Sequence, residues 1–412
     1  MVRPERRTRG DLVAAAMIAV LVVVAGGLVW WFSDARATVS RPAAQPVPNP
    51  PAAHTVPAAL TQLWTVASSA TTGPVVVSGA VITGDGHEMH GRDPVTGESH
   101  WSYARGVDLC AVSWIYRYAV AVYPDDRGCG QVSTVDAGTG RRGPARTSYA
   151  DRTVRVSSEG SAVLSVGSTR LELWRSDMVR VLSYGEIDAR VKPSARGPGQ
   201  GCTLLSAAAG SSAVSVLESC PGQADLRLTL LRPGKDEDEP EQQYVPESGI
   251  TADSGARVLA VSDTGSGANT AIYLPAPQPR IELVDQTGTT VAKTLLPGQP
   301  SPASGALPVS RSAGLISWWT GDSVLVFDAA TLAYRYTVPA AGATVPLGPA
   351  ASMADRLLIP VTGGVGVYDS ATGKRERTIP VSRPPGVSAV FPAVSGSTVL
   401  EQRGDTVVGL GG

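Results

Sequence analysis

A chain of 412 residues with 45 Gly, 32 Pro and only three Phe is rich in turn formers and poor in the aromatics of a conventional core. Its Val, Ser and Thr recur in short runs, which suits many short strands and tight turns better than helices. A net charge of −1, with basic and acidic residues in near balance, leaves no basic field to hold nucleic acid.

The first predicted element is a membrane helix. Residues 1–11 carry Arg3, Arg6, Arg7 and Arg9, and residues 12–32, LVAAAMIAVLVVVAGGLVWWF, carry no charge. Such a run spans roughly 30 Å as a helix, the thickness of a hydrocarbon core. The arginines predict a cytoplasmic tail over 1–11, and Trp30 and Trp31 suit the opposite interface, so the chain beyond the helix is expected in the periplasm. The small-x-small triplet at 35–37 leaves a cleaved signal peptide as the alternative, against which the length of the apolar run argues. Residues 33–59 form a Pro/Ala-rich linker. Six prolines over 41–59 predict an extended polyproline spacer that lifts the next domain roughly 50–60 Å off the membrane.

From residue 60 the chain repeats. "VLVFDAATLAYRYTVPA" (324–340) and "VGVYDSATGKRERTIPV" (365–381) share an alternating strand, an Asp, a Thr-containing turn and a second strand. The marker Asp falls at 93, 136, 285, 328 and 369, and degenerate copies occupy 170–184 and 226–245. Asp accepts hydrogen bonds from amides just ahead of it, and Gly97, Gly140 and Gly373 supply the positive φ that closes the turn. Leu332 stands where Gly is expected, so that turn must be rearranged or strained. Another strand and turn precede each marker, giving about four strands per unit, the signature of propeller blades. "TQLWTV" at 61–66 reads as an outer strand without the three before it, and the final unit reaches Leu410 without an outer strand. Joining the two completes a sheet and removes unpaired edges. The expected fold is therefore an all-β, eight-bladed propeller over 60–412, closed by its N-terminal strand. Seven blades result if one degenerate unit is an insertion.

The unit apolar-x-apolar-D-x-x-T-G-x-x-x-W, whose D-x-x-T-G-x-x-x-W part stands at 93–101, resembles the PQQ-like β-propeller repeat over roughly 60–410. That family includes quinoprotein alcohol dehydrogenases and the non-enzymatic outer-membrane assembly propeller. The terminal Trp occurs here at Trp64 and Trp101 only. The quinoprotein pattern implies adjacent cysteines beside the cofactor, and this chain has no such pair. The resemblance thus points to a non-catalytic, membrane-anchored member of actinobacterial type, without cofactor.

Candidate sites are few. "CAVSWIYRYAVAVYPDDRGCGQ" (110–131) matches "CTLLSAAAGSSAVSVLESCPGQ" (202–223) in spacing, so Cys110–Cys129 and Cys202–Cys220 are expected as disulfides in an oxidising compartment; a Cys metal site lacks ligand-like spacing. His90 and His100 share a face if the turn between them has three residues, whereas a four-residue turn sets His90 against Trp101 and turns His100 away; the turn "PVTG" favours the second. "KDEDEPE" at 235–241 lacks calcium-loop spacing and reads as a solvated turn, and "RGD" at 403–405 as turn chemistry. Trp318 and Trp319 must point to opposite faces of one strand. One is expected in the core, while the other, with Tyr334 and Tyr336, offers a ligand or sugar-stacking patch as the alternative to packing. No nucleophile elbow, phosphate loop or zinc-protease helix occurs. The expectation is a non-catalytic scaffold on the periplasmic side of the inner membrane, engaging envelope proteins such as a glycolipid transporter or a lipoglycan-synthesis complex. An enzyme acting on envelope sugars or alcohols, or a ligand sensor, are the rivals.

Overall fold

A computed structural model describes residues 8–31, 33–187, 197–264, 267–298, 300 and 309–412. Its N-terminal helix, Arg9–Trp31, is long and apolar enough to cross a membrane. Thr8 and Asp11 begin it as a reciprocal cap: the Asp11 amide donates to Thr8 Oγ1 (3.2 Å) and the Thr8 amide to Asp11 Oδ2 (2.8 Å).

The remaining strands form eight antiparallel sheets in a closed ring. From the inside outward, blade 1 is Val75–Val77, Ala80–Asp85, Glu88–Arg92 and Ser99–Ala104. The innermost strands of blades 2 to 8 are Ala111–Ile115, Arg155–Ser158, Thr203–Ala209, Arg257–Thr264, Val309–Ser312, Ala351–Met353 and Phe391–Ser395. Blade 8 takes its outermost strand from the other end of the domain. Thr61–Ala67 pairs antiparallel with Thr406–Gly411, setting Thr65 opposite Val408 and Ala67 opposite Thr406. The degenerate stretches 170–184 and 226–245 are the outer halves of blades 3 and 4, so the count is eight and neither is an insertion.

Core side chains interdigitate between neighbouring blades, because each sheet buries both faces except along its outer strand. Ile82, Met89 and Tyr103 of blade 1 pack with Ala121, Tyr123 and Val135 of blade 2, and Trp319 and Val326 of blade 6 with Leu357 and Ile359 of blade 7. The outer strand Arg375–Pro380, by contrast, is exposed at five of its six positions.

The marker aspartates organise the outer hairpins as their chemistry predicts. Asp93 Oδ1 accepts from the Val95 and Thr96 amides, both at 2.8 Å, and Asp369 Oδ1 from Ala371 and Thr372. The same turns lock one blade to the next. Trp64 Nε1 of blade 8 donates to the Pro94 carbonyl of blade 1 (3.0 Å), Trp101 Nε1 of blade 1 to Ala137 of blade 2 (2.8 Å), and Tyr336 Oη of blade 6 to Ser370 of blade 7 (2.5 Å). Each acceptor is the residue after a marker Asp, and each ring lies over the turn glycine. A Cβ at Gly140, where φ is +70°, would stand 2.5 Å from Trp101 Cβ. Leu332 takes the left-handed conformation without being glycine (φ 59°), and its side chain is buried in the seam between blades 5 and 6.

The Pro-rich segment departs from the extended spacer expected of it. Val39–Arg41 adds a fifth strand to blade 1, Val39 opposite Ala104 and Arg41 opposite Ser102. Ala43 and Val47 then donate their amides to Thr139 (3.0 Å) and Gly138 (2.7 Å) of blade 2, and Val47 is buried. Pro48 and Asn49 lie against Gly79 of blade 1, and Pro50 against Gly396 of blade 8. Ala53, Val56 and Leu60 pack into the cluster between blades 7 and 8, where Arg377 Nη2 donates to the Val56 carbonyl (2.9 Å). A proline-rich stretch cannot build a core, but it can lie along one already built. Residues 39–60 form a strap across the ring's closing seam.

Candidate binding channel

In a four-stranded antiparallel blade, the first and third turns share one face of the ring. The second turn and the blade-to-blade connection share the other. The innermost strands therefore run in parallel around the axis, from the connection face to the turn face. Those of blades 3 to 6 are rich in small residues, including Ser157, Ser158, Ala207, Ala208, Ala209 and Ser312, which leave the axis open. The resulting cavity has a volume of about 600 Å³, within the range of small-molecule sites.

Three arginines line it. Arg155 and Arg257 open their innermost strands and so sit toward the connection face, while Arg311 lies one residue from the turn-face end of Val309–Ser312. Arg155 Nη2 donates to the Leu205 carbonyl (3.1 Å) and Arg311 Nη2 to Val261 (2.6 Å), which hold the side chains along the wall. Arg257 Nε makes a long contact with the Gly255 carbonyl (3.4 Å). None of the three forms an ion pair among the described residues. Burial disfavours the charge on both Arg257 and Arg311; the positive Arg155 adds to this at Arg257, while Glu159 and Asp263 offset it at Arg311. One carboxylate, Glu159, shares the lining, but its Oε1 accepts from the Ser161 and Ala162 amides, both at 2.8 Å. Asp263 is likewise taken up by the amides of Ser211, Ser212 and Ala213. Trp114 of blade 2 supplies a half-buried aromatic wall.

The arginines elsewhere behave differently. Glu172, on blade 3, is buried among Arg170, Arg146 and Arg180; burial opposes its ionisation, and the three guanidiniums together overcome this and hold its carboxyl below the ordinary range. Glu401 is clasped by Arg383 and Arg403, both 2.6 Å away, and Glu218 by Arg227 at 2.9 Å. These networks pair their charges inside the blades, although Arg180 Nε and Glu218 Oε2 have no hydrogen-bond partner among the described residues. The sequence carries their signal as the alternation Arg170-x-Glu172, Arg280-x-Glu282 and Glu401-x-Arg403, which puts both charges on one face of a strand.

The residues singled out from sequence find varied places in the ring. Cys110–Cys129 and Cys202–Cys220 are disulfides, each joining the entry of an innermost strand to the chain beyond the next strand, in blades 2 and 4. Neither histidine register holds. A bulge between Gly91 and Arg92 sets His90 opposite Ser102 and Trp101 opposite Gly91, and leaves His100 out of the pairing. His90 contacts Ser99 (3.0 Å) and Glu88 (3.5 Å), while His100 lies 3.6 Å from Asp93. The aromatic patch does not assemble. Trp318 and Trp319 are both buried, Trp318 against Tyr273 and Trp319 donating to the Pro346 carbonyl. Tyr336 serves the blade lock, and only Tyr334 reaches the surface, edge-on to Phe327. The acidic hairpin tip folds onto blade 3, where Asp238 and Glu237 pair with Arg180, so it is not merely solvated. In 403–405 the Arg403 side chain is buried against Glu401 and unavailable to an adhesion partner.

Solved structures share this architecture. Sqt1 of Saccharomyces cerevisiae aligns at 11% identity over 87% of this chain and 99% of its own, with a TM-score of 0.50. BamB of Moraxella catarrhalis aligns at 15% over 86% and 98% (TM-score 0.46), and the dihydro-heme d1 dehydrogenase NirN at 12% over 85% and 79% (0.47). The chain is a β-propeller. At such identities the likeness is one of fold alone, and no family model or curated protein matches the sequence.

Proposed function

We propose that this protein is a membrane-anchored, non-catalytic binding scaffold of the cell envelope, its propeller on the periplasmic side of the inner membrane. The observation that carries the reading is the joining of an apolar helix to a closed, disulfide-stapled ring through a very short connection. Two disulfides suit an extracytoplasmic compartment, and the four arginines in and just ahead of the helix's first turn suit a cytoplasmic N-terminus. A rigid ring presents loops on two faces and a central channel, which favours holding partners over performing chemistry. The Asp-turn repeat supports kinship with PQQ-like propellers.

The envelope process rests on analogy with anchored propellers of actinobacterial type: assembly or export of glycolipids or lipoglycans beside a membrane transporter. In-cell crosslinking of the full chain, with mass spectrometry of co-purified proteins and lipids, tests it. Recovery of transporter or lipoglycan-synthesis components is expected. Recovery of a redox cofactor, with turnover of an envelope sugar or alcohol, would replace the scaffold by an enzyme.

A further inference from the structure

The central channel is the feature that the scaffold reading leaves unexplained. Among the described residues its charged lining is Arg155, Arg257 and Arg311 against Glu159 alone, in a chain whose net charge is −1. Glu159 already caps its own turn. The three guanidiniums come from blades 3, 5 and 6, separated by roughly a hundred and by fifty residues of sequence, so no local structural need gathers them. Other arginines buried in the blades sit against carboxylates, among them Arg170, Arg227, Arg383 and Arg403. The channel arginines instead line a cavity, with one backbone contact each and no carboxylate partner among the described residues.

We infer that the central channel is a binding site for an anionic, sugar-sized molecule, its phosphate or carboxylate held between Arg155 and Arg257 at the connection-face end and its body reaching along the channel to Arg311 and Trp114 toward the turn face. Guanidinium forks match both oxyanions in shape and charge. A volume of about 600 Å³ accommodates such a molecule and excludes a folded partner. The small walls built from Ala207, Ala208, Ala209 and Ser157 provide the room. Arg155 and Arg257 repel each other across the connection-face end, and an oxyanion placed there removes the repulsion.

This inference names the ligand class of the scaffold's channel and rests on the ring as described. The test is calorimetric titration of the full chain in detergent with glucose 1-phosphate, glucuronate and glucose. At least one of the two anions is expected to bind, and which one separates a phosphate ligand from a carboxylate; glucose is expected to give no heat. R257Q and R311Q are each expected to weaken binding roughly tenfold to a hundredfold, the effect of losing a charged hydrogen bond. The exposed R155Q serves if either variant misfolds, and R335Q on an outer strand is expected to bind as the parent does. No binding of either anion at 10 mM, or affinity unchanged in R257Q, R311Q and R155Q, would overturn the inference. Partner recovery by crosslinking is read on the same variants, so loss of the channel's role is distinguishable from loss of the scaffold's.

Discussion

Trp101 is a lock between two blades as well as a core residue. Its indole covers Gly91 in its own sheet, where a Cβ would stand 2.1 Å away, and its Nε1 reaches the turn of the next. Truncation to Ala removes the packing and the hydrogen bond together, so Trp101→Ala should lose about 3–5 kcal/mol of stability. Trp101→Phe should lose clearly less, keeping most of the packing but leaving the Ala137 carbonyl without its donor. Urea denaturation of the two variants separates the contributions, and equal losses would show that packing beyond the hydrogen bond matters little. Glu247 is a different kind of residue. Burial, with the negative Glu282 nearby, pushes its carboxyl up to about 7, against the opposing pull of Arg280 and Lys293. The unfolded chain releases this proton near the ordinary value of 4.5 and the folded chain only near 7. Stability from this group therefore falls as pH rises through that window and levels off above it. Glu247→Gln should remove this slope and melt higher than the parent at pH 8, with the difference vanishing at pH 4. A variant no more stable at pH 8 would place the Glu247 proton elsewhere.

At the scale of elements, the strap and the disulfides each make a prediction. Ala43 and Val47 donate to blade 2, so hydrogen exchange should find their amides protected for far longer than those of a free proline-rich tether. Exchange of both within the dead time of mixing would return the segment to a loose spacer. The Cys202–Cys220 pair closes a loop with a sequence separation of 18, and replacing both with Ala should cost about 3 kcal/mol in a denaturant titration under oxidising conditions. How much of this was legible in sequence depends on the physics of each part. Asp93, Asp136 and Asp369 announce their turns because a short acidic side chain and a glycine four residues on act locally. The paired cysteines were legible because their spacing repeats. Residues 39–60 were not, since composition reports what a segment can build but not what it can lean on. For Trp318 and Trp319 the packing reading holds and the stacking-patch alternative does not: alternation says that they face opposite ways, and in a propeller both ways lead into a seam. The channel arginines left no pattern at all, because Arg155, Arg257 and Arg311 come to line one cavity only when the ring closes.

At the scale of the molecule, the strap determines which face of the ring the N-terminal helix lies nearest. The helix ends at Trp31 and the strap's strand begins at Val39, so at most roughly 28 Å of chain joins them. Val39 lies beside Ala104, and Ala37 beside Gly106, both at the connection face of blade 1. With the helix in the bilayer as proposed, that rim of the ring would be held close to the membrane, not 50–60 Å above it, and the Arg155–Arg257 end of the channel is on the same face. On that arrangement, an anionic ligand arriving from the membrane side would meet those two arginines first. Everything in this arrangement depends on the ring being closed by its own N-terminal strand, which brings the strap, the channel arginines and the tether into one body. The most direct test places cysteines at two exposed, directly paired positions of the seam, Ala67→Cys with Thr406→Cys. Peptide mapping of the unreduced protein should recover residues 67 and 406 as a disulfide-linked pair, with the two native disulfides intact. Two free, separately alkylated thiols in a folded double variant would contradict the closed ring.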